Sequence, residues 1–168
     1  MARSPLTLAA TVTSALPRVV VTGVGSLSEG TSGRYDSAIA ELDDGRRVVV
    51  RVPVDDGADA DLVAEARALH SLTAGVRGVL PFGAPDVLGE TRVDGRLALV
   101  QTLLPGYRVD AAHVPAGRGI ATALATATAQ VHDLPVTVVR DAGLPMLTAD
   151  EVRADAERLL DAAEATGL

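Results

Sequence analysis

Arg46-Arg-Val-Val-Val-Arg-Val-Pro53 is a valine-rich run in which Arg51 is the only charged residue between Val48 and Val54. Residues with β-branched side chains favour strands. Alternation along a strand puts Arg51 on the same face as Val49 and Pro53. A charge on that face points either to solvent or to a group that neutralises it. The run therefore predicts a strand with Arg51 as a functional candidate, and an ordinary exposed arginine remains the alternative interpretation.

The segments on either side of this run predict further strands. Val19–Val24 and Asp36–Leu42 precede it, and Asp43-Asp-Gly-Arg46 supplies a tight turn. Pro85–Thr91 and Arg96–Leu103 follow it, joined by a second Asp-Gly turn. Together these segments predict a five-stranded antiparallel sheet in an α+β fold, with one helix inserted after the third strand.

The inserted helix is predicted between Asp59 and Ala74. Its apolar residues recur at helical spacing and form one stripe, which comprises Leu62, Ala66, Leu69 and Leu72. Asp59-Ala-Asp61 matches the Asp-x-Asp pattern of some metal sites, but at this place we interpret it as the acidic amino-terminal cap of the helix.

Glu65 lies at the edge of that apolar stripe, where an unpaired carboxylate would be costly. Arg51 on the third strand is a suitable partner. A strand cation paired with a helix carboxylate is the arrangement that positions phosphates in kinase-type lobes. The alternative is a solvated surface pair, which contributes little.

Glycines also mark a candidate anion-binding loop, Ser26-Leu-Ser-Glu-Gly-Thr-Ser-Gly33. Glycines among serines and threonines let backbone N–H groups approach an anion closely. The loop joins two strands and carries no Gly-Lys-Ser/Thr sequence, so it is not a Walker motif. A plain hairpin loop uses the same residue types, and this interpretation stays open.

Other helices are predicted near both ends of the chain. Ser4 before Pro5 is a typical helix start, and Thr148-Ala-Asp-Glu151 is a capping box for a helix that ends at Gly167. A further helix spans Gly117–Val131. The helix-breaking segment Leu104-Pro-Gly106 divides the chain into residues 1–103 and residues 104–168.

Composition excludes several classes of function. The chain of 168 residues has a net charge of −7, with no lysine and no cysteine. Disulfide frameworks and thiol catalysis are therefore excluded, and a reducing cytoplasm is compatible. The absence of a basic stripe argues against a nucleic-acid partner, and no segment approaches the about 20 apolar residues that span a membrane.

Catalytic signatures are missing from the sequence. None of the three histidines (His70, His113 and His132) is followed two residues later by aspartate, so there is no catalytic loop of the kinase type. No Gly-x-Ser-x-Gly elbow supports a hydrolase, and no tight His and carboxylate cluster suggests a metal site. We assign no catalytic residue and no metal ligand.

The order of these features resembles the aminoglycoside phosphotransferase family, in particular the actinobacterial branch related to macrolide phosphotransferases. The resemblance runs through most of the chain. It is carried by Ser26–Leu42, Arg46–Pro53, Glu65–Leu72, Pro85-Asp-Val-Leu-Gly-Glu-Thr91, Leu103-Leu-Pro-Gly106 and Ala129-Gln-Val-His-Asp-Leu-Pro135.

This resemblance implies a fold and a set of nucleotide contacts. Residues 1–103 would form a protein-kinase-like amino-terminal lobe, and residues 104–168 would form the hinge and the first helices of an incomplete carboxy-terminal lobe. Arg51 stands where kinases usually place a phosphate-binding lysine, and the segment from Gln101 to Leu104 would offer backbone groups to a purine. The implied nucleotide-binding residues are Ser28, Gly30, Ser32, Gly33, Arg51, Glu65, Gln101 and Leu103.

The resemblance also implies an activity. Members of the family transfer the γ-phosphoryl group of ATP or GTP, with Mg²⁺, to a hydroxyl of a small molecule, often an antibiotic. This chain departs from that pattern because arginine replaces lysine, which turns a point donor into a planar fork. It also lacks the catalytic aspartate and the metal ligands.

We therefore expect the amino-terminal portion of a phosphotransferase that binds nucleotide but is inactive alone, and that takes an acceptor only with a carboxy-terminal lobe. The alternative is a non-catalytic binding or interaction module, derived from a kinase, whose exposed helices could form a homodimer. A third possibility is an unrelated α+β protein in which the glycine loop is a plain hairpin.

Overall fold

The structure is a computed structural model, and it describes residues 3–26, 33–80, 82–106, 119–141 and 146–166. Its α+β architecture confirms the predicted class. The first part holds all the described strands, and the second part is helical. In chain order the elements are α1 (Pro5–Ala15), β1 (Val21–Ser26), β2 (Tyr35–Leu42), β3 (Arg47–Pro53), α2 (Asp56–Ser71), α3 (Ala74–Val79), β4 (Val87–Val93), β5 (Arg96–Thr102), α4 (Ile120–His132), α5 (Val136–Asp141) and α6 (Ala149–Thr166).

The five strands form one antiparallel sheet in the order β1-β2-β3-β5-β4. Two strands begin two residues later than the sequence predicts, at Val21 and Val87. In β1, the β-branched residues before Val21 are used in the connection from α1, where Val20 N donates to Asp43 Oδ1 at 3.1 Å. The strand then extends through Gly25 because that glycine pairs with Ile39 of β2. Cross-strand pairing, which propensity does not encode, therefore fixes these bounds.

One face of the sheet is covered by α1. Leu8 and Val12 of α1 are buried in a core cluster with alanines, valines and one leucine of three strands, β2, β3 and β5. Alternation along β3 puts Val48, Val50 and Val52 in this core, on the face opposite to Arg51. The approach of α1 is close: a Cβ atom on Gly89 would lie 2.5 Å from the carbonyl oxygen of Ala15. Glycine at this position of β4 lets the helix end reach the sheet.

The opposite face of the sheet is partly covered by α2. Leu62 and Ala66 are buried there with Leu97 and Leu99 of β5, and Leu69 packs against this cluster. This confirms the predicted stripe except at Leu72, which caps the helix end.

The prediction that Asp59-Ala-Asp61 caps α2 was wrong. Asp55 is the N-cap, because its side chain accepts from Ala58 N at 2.7 Å. Asp59 lies in the first turn and accepts instead from Leu97 N, at 2.8 Å. The sequence could not show this, because the donor belongs to a strand 38 residues away in the chain.

The remaining helices differ in how they are held. The short α3, which the sequence did not predict, is fastened by Arg77: its guanidinium donates to the carbonyl oxygens of Leu72, Ala84 and Pro85. In α4 no described residue is buried. Exposed apolar side chains recur on α4 and α6, among them Leu124, Val131, Val152 and Leu160. Among the described residues, no helix is both long and apolar enough to cross a membrane.

Candidate functional site

Arg51 and Glu65 form the ion pair that the sequence predicts. Arg51 Nη1 donates to Glu65 Oε1 at 2.5 Å, and the two side chains are 20% and 35% exposed. Arg51 comes from the centre of the sheet and Glu65 from α2, which packs on the same face of the sheet. The pair therefore joins β3 to α2. It lies beside the part of this sheet face that α2 does not cover.

The ring of Tyr35 also contacts Arg51. The carbon at the centre of the Arg51 guanidinium lies 4.4 Å from the centroid of the Tyr35 ring. Tyr35 is half-buried against the cluster that contains Leu62 and Leu99. A cation over an aromatic face at this distance is attracted by the ring quadrupole.

The residues just before Tyr35 link the glycine-rich loop to α2. Gly33 has φ of 69°, a left-handed conformation that suits glycine. The next residue, Arg34, places its Nη1 atom 2.5 Å from Asp61 Oδ2 of α2. Through this hydrogen bond and its negative charge, Asp61 raises the pKa of Arg34 above its ordinary value. Arg34 is therefore an attachment of the loop end to the helix.

A row of residues crosses the open part of the same sheet face. Strand pairing aligns Gly25 with Ile39, Ile39 with Val49, and Val49 with Gln101. We call these four residues the open row. Two residues of this row, Gly25 and Ile39, also line a cleft of about 320 Å³. The walls of the cleft come from β1, β2 and β3 and include Arg47. The apolar side chains of Ile39 and Val49 give this row a flat surface of the kind on which a planar ring can lie.

Gln101 adds a polar group at the end of the open row. Its Oε1 atom is buried and has no hydrogen-bond partner among the described residues. A buried acceptor without a donor costs about 1–3 kcal/mol, and such an atom is a natural contact for a ligand that brings an N–H group.

The predicted site residues divide into three sets. Arg51 and Glu65 are brought together, and Gln101 lies in the same sheet face near them. Leu103 follows β5, and its backbone N–H lies 3.4 Å from the carbonyl oxygen of Arg47. Gly33 is placed at the start of β2, whereas Ser28, Gly30 and Ser32 lie outside the described residues. The nucleotide contacts assigned to all these residues stay predictions.

Sequence reasoning missed Tyr35 as part of this site. The available signal was weak: Tyr35 is one of only three aromatic residues in the chain, and it stands just after the glycine-rich loop. Its contact with Arg51 depends on the register of β2 and β3, in which Arg51 pairs with Ser37 and Tyr35 pairs with Pro53. That diagonal relation cannot be obtained without knowing the register.

Comparison with known proteins gives a family and a fold. The profile of the family described as "Phosphotransferase enzyme family" matches residues 27–167. No curated protein matches the sequence.

Among solved structures, a macrolide 2'-phosphotransferase type I is 26% identical, with a TM-score of 0.60, and the match covers 98% of this chain and 56% of that one. The apoenzyme of a macrolide 2'-phosphotransferase from Brachybacterium faecium is 20% identical, with a TM-score of 0.67 and coverages of 97% and 54%. The GDP complex of aminoglycoside 2'-phosphotransferase-IIIa is 21% identical, with a TM-score of 0.67 and coverages of 96% and 52%.

These matches confirm the five-stranded sheet, with the helices packed on it, as a kinase-like amino-terminal lobe. The division of the chain after residue 103 stays a prediction. The chain spans about half the length of each of these solved relatives.

Proposed function

Because the chain belongs to the phosphotransferase enzyme family, we propose that it is the nucleotide-binding part of an ATP- or GTP-dependent O-phosphotransferase whose acceptor is a small molecule of the macrolide or aminoglycoside type. The observation that carries this proposal is the ion pair of Arg51 and Glu65 beside the open row. A strand cation held by a helix carboxylate is suited to bind the phosphates of a nucleoside triphosphate.

The residues present fit a nucleotide. Arg51 supplies a guanidinium, which binds phosphate oxygens through paired N–H groups. Ile39 and Val49 supply an apolar surface for the base, and the buried Oε1 of Gln101 is an acceptor for an amino group of a purine. The purine would thus lie across the open row with its phosphates directed toward Arg51.

Mg²⁺ would accompany the nucleotide and neutralise charge on its phosphates. In the described part of the chain, no group of three or more His, Cys, Asp or Glu residues is placed to hold a metal ion. The supply of ATP or GTP also favours a cytoplasmic location for this activity.

We further propose that the chain binds nucleotide without transferring its phosphoryl group. Its sequence contains no His-x-Asp catalytic loop and no Asp-Phe-Gly segment. The solved relatives are about twice as long as the matched part. Acceptor binding and transfer would need a second lobe, and any contribution to antibiotic resistance would depend on that lobe as well.

Calorimetric titration of the full chain with ATP and with GTP, each in the presence of Mg²⁺, tests the binding proposal. We expect saturable binding that Arg51→Ala weakens at least about tenfold, because hydrogen bonds to charged groups contribute about 1.5–3 kcal/mol. The matched control is Arg92→Ala, which removes the same charge from an exposed residue of β4. If neither nucleotide binds, or if both variants bind as the wild type does, the proposal is wrong.

A transfer assay tests the second part. With γ-labelled nucleotide and a panel of macrolides and aminoglycosides, we expect no labelled product above the background of the Arg51→Ala variant. Product that scales with the amount of the 168-residue chain would show that it is active by itself.

A second candidate function is a non-catalytic interaction module, and the exposed apolar side chains of α4 and α6 favour it. Together with Phe82, α4 also lines an apolar cleft of about 400 Å³. Light scattering separates the two candidates. A dimer of defined mass would support the module, whereas a graded rise in mass with concentration would support a half-domain whose apolar faces lack their usual cover.

A further inference from the structure

Arg51 lies between two side chains that act on different parts of its guanidinium. Glu65 accepts a hydrogen bond from Nη1, at the edge of the group, and the Tyr35 ring lies against its face. In the part of the chain that the structure describes, the other guanidinium nitrogens donate no hydrogen bond. The N–H groups left over are those that can bind phosphate oxygens.

Tyr35 is itself fixed in place. Its backbone is paired to Pro53 in the sheet, and its ring packs against the cluster formed by α2 and β5. A ring held by strand pairing and by packing against this cluster is a rigid surface for a neighbouring side chain.

Without such a surface, the Glu65 contact alone would hold Arg51 weakly. Partly exposed ion pairs contribute little, and holding an arginine side chain in one orientation costs rotamer entropy. A cation on an aromatic face gains about 0.5–2 kcal/mol, depending on its exposure. Stacking on Tyr35 is therefore large enough to decide how much of the time the guanidinium is in its binding orientation.

We propose that Tyr35 is a positioning residue, which by stacking orients the Arg51 guanidinium toward the polyphosphate of a nucleoside triphosphate. This inference rests on the proposed nucleotide binding. It also explains why arginine stands at position 51: lysine carries a compact charge without a planar face to stack. Tyr35 and Arg51 are then a matched pair.

Calorimetric titrations with a triphosphate and with its nucleoside test this role. Ligands are Mg²⁺-ATP with adenosine, and Mg²⁺-GTP with guanosine. We expect Tyr35→Leu to weaken triphosphate binding about 3- to 30-fold, the range given by the stacking energy, and to leave nucleoside binding unchanged. The matched control is Tyr35→Phe, which keeps the aromatic face and should bind within about twofold of the wild type.

Arg51→Lys tests the pair from the other side and leaves Tyr35 packed. We expect it to weaken triphosphate binding although the charge is kept, and we expect Tyr35→Leu to have little further effect in that background. This variant keeps the inference falsifiable if Tyr35→Leu fails to fold.

Some results would overturn this inference but not the proposed function. One is wild-type triphosphate affinity in Tyr35→Leu or in Arg51→Lys. The other is an equal loss of nucleoside and triphosphate binding in Tyr35→Leu. The latter would mean that the ring serves only to support the fold. Failure of the wild-type chain to bind either triphosphate is a different result, because it would refute the proposed function together with the role of Tyr35.

Discussion

Arg3 shows how one side chain can tie the amino terminus of this chain to its sheet. Its Nη1 atom donates to Asp36 Oδ2 at 2.9 Å and to the carbonyl oxygen of Pro53, while Nη2 donates to Asp94 at 2.8 Å. Arg3 is 13% exposed and Asp36 is 9% exposed, but Asp94 is 73% exposed. Because enclosed charges depend on their partners far more than solvated ones, Asp36 is the partner that matters.

Replacing each carboxylate in turn tests this difference. We expect Asp36→Asn to lower the free energy of unfolding by about 1–3 kcal/mol, since a largely enclosed guanidinium loses its charged acceptor. Asp94→Asn removes the same charge from the exposed partner and should change stability by less than about 0.5 kcal/mol. Urea unfolding followed by circular dichroism measures both, and equal effects would contradict the distinction.

Helix α6 begins at a capping box that the sequence predicts. Glu151 accepts hydrogen bonds from the backbone N–H and from the hydroxyl of Thr148, and Glu151 N donates back to Thr148 Oγ1. The backbone hydrogen bond first, and the hydroxyl second, lower the pKa of Glu151 below its ordinary value. A capping box is local in sequence, so no distant residue has to be known.

This lowered pKa predicts how the start of α6 responds to acid. The folded-state pKa lies below the unfolded-state value, so the contribution of the cap is present above the unfolded-state pKa and is lost as pH falls through the folded-state pKa. We expect the amides of Asp150–Arg153 to lose protection against exchange, relative to their intrinsic rates, in that acidic range.

NMR hydrogen exchange of the whole chain measures this effect, over pH values at which the protection factors of the sheet amides are unchanged. Glu151→Gln is the control, because its uncharged amide should remove the pH dependence of the protection factors. Equal pH dependence in the two proteins would show that Glu151 does not hold the cap.

The two parts of the chain bury their apolar residues to different degrees. The sheet is covered by α1 on one face and partly by α2 on the other. Ile120, Leu124 and Val131 recur at helical spacing on α4, and all three are exposed, Leu124 by 59%. An apolar stripe of this kind needs a covering surface, which a second copy of the chain can supply.

We therefore expect the chain to self-associate as its concentration rises. The double variant Leu124→Ser/Val131→Ser should weaken association at least about tenfold, because each buried aliphatic side chain contributes about 1.5–3 kcal/mol. Leu6→Ser is the control, since Leu6 is an exposed leucine on α1, away from this stripe. Light scattering at several concentrations measures the effect, and a monomer throughout the range would contradict it.

Features that depend on neighbouring residues follow from the amino-acid sequence alone. Alternation in β3 sets which valines are buried, helical spacing sets the stripe of α2, and a local motif caps α6. Arg51 and Glu65 could be paired in advance because each stood out within its own element.

Features that join distant parts of the chain depend on how the strands and helices pack. The shifted starts of β1 and β4, the use of Asp59 to accept from Leu97 N, and the Tyr35 ring on Arg51 all depend on strand register and on helix docking. Register is fixed by the sum of many cross-strand contacts. Local residue patterns do not reveal these contacts. For this reason the contact of Tyr35 with Arg51 can be recognised only when β2 and β3 are aligned.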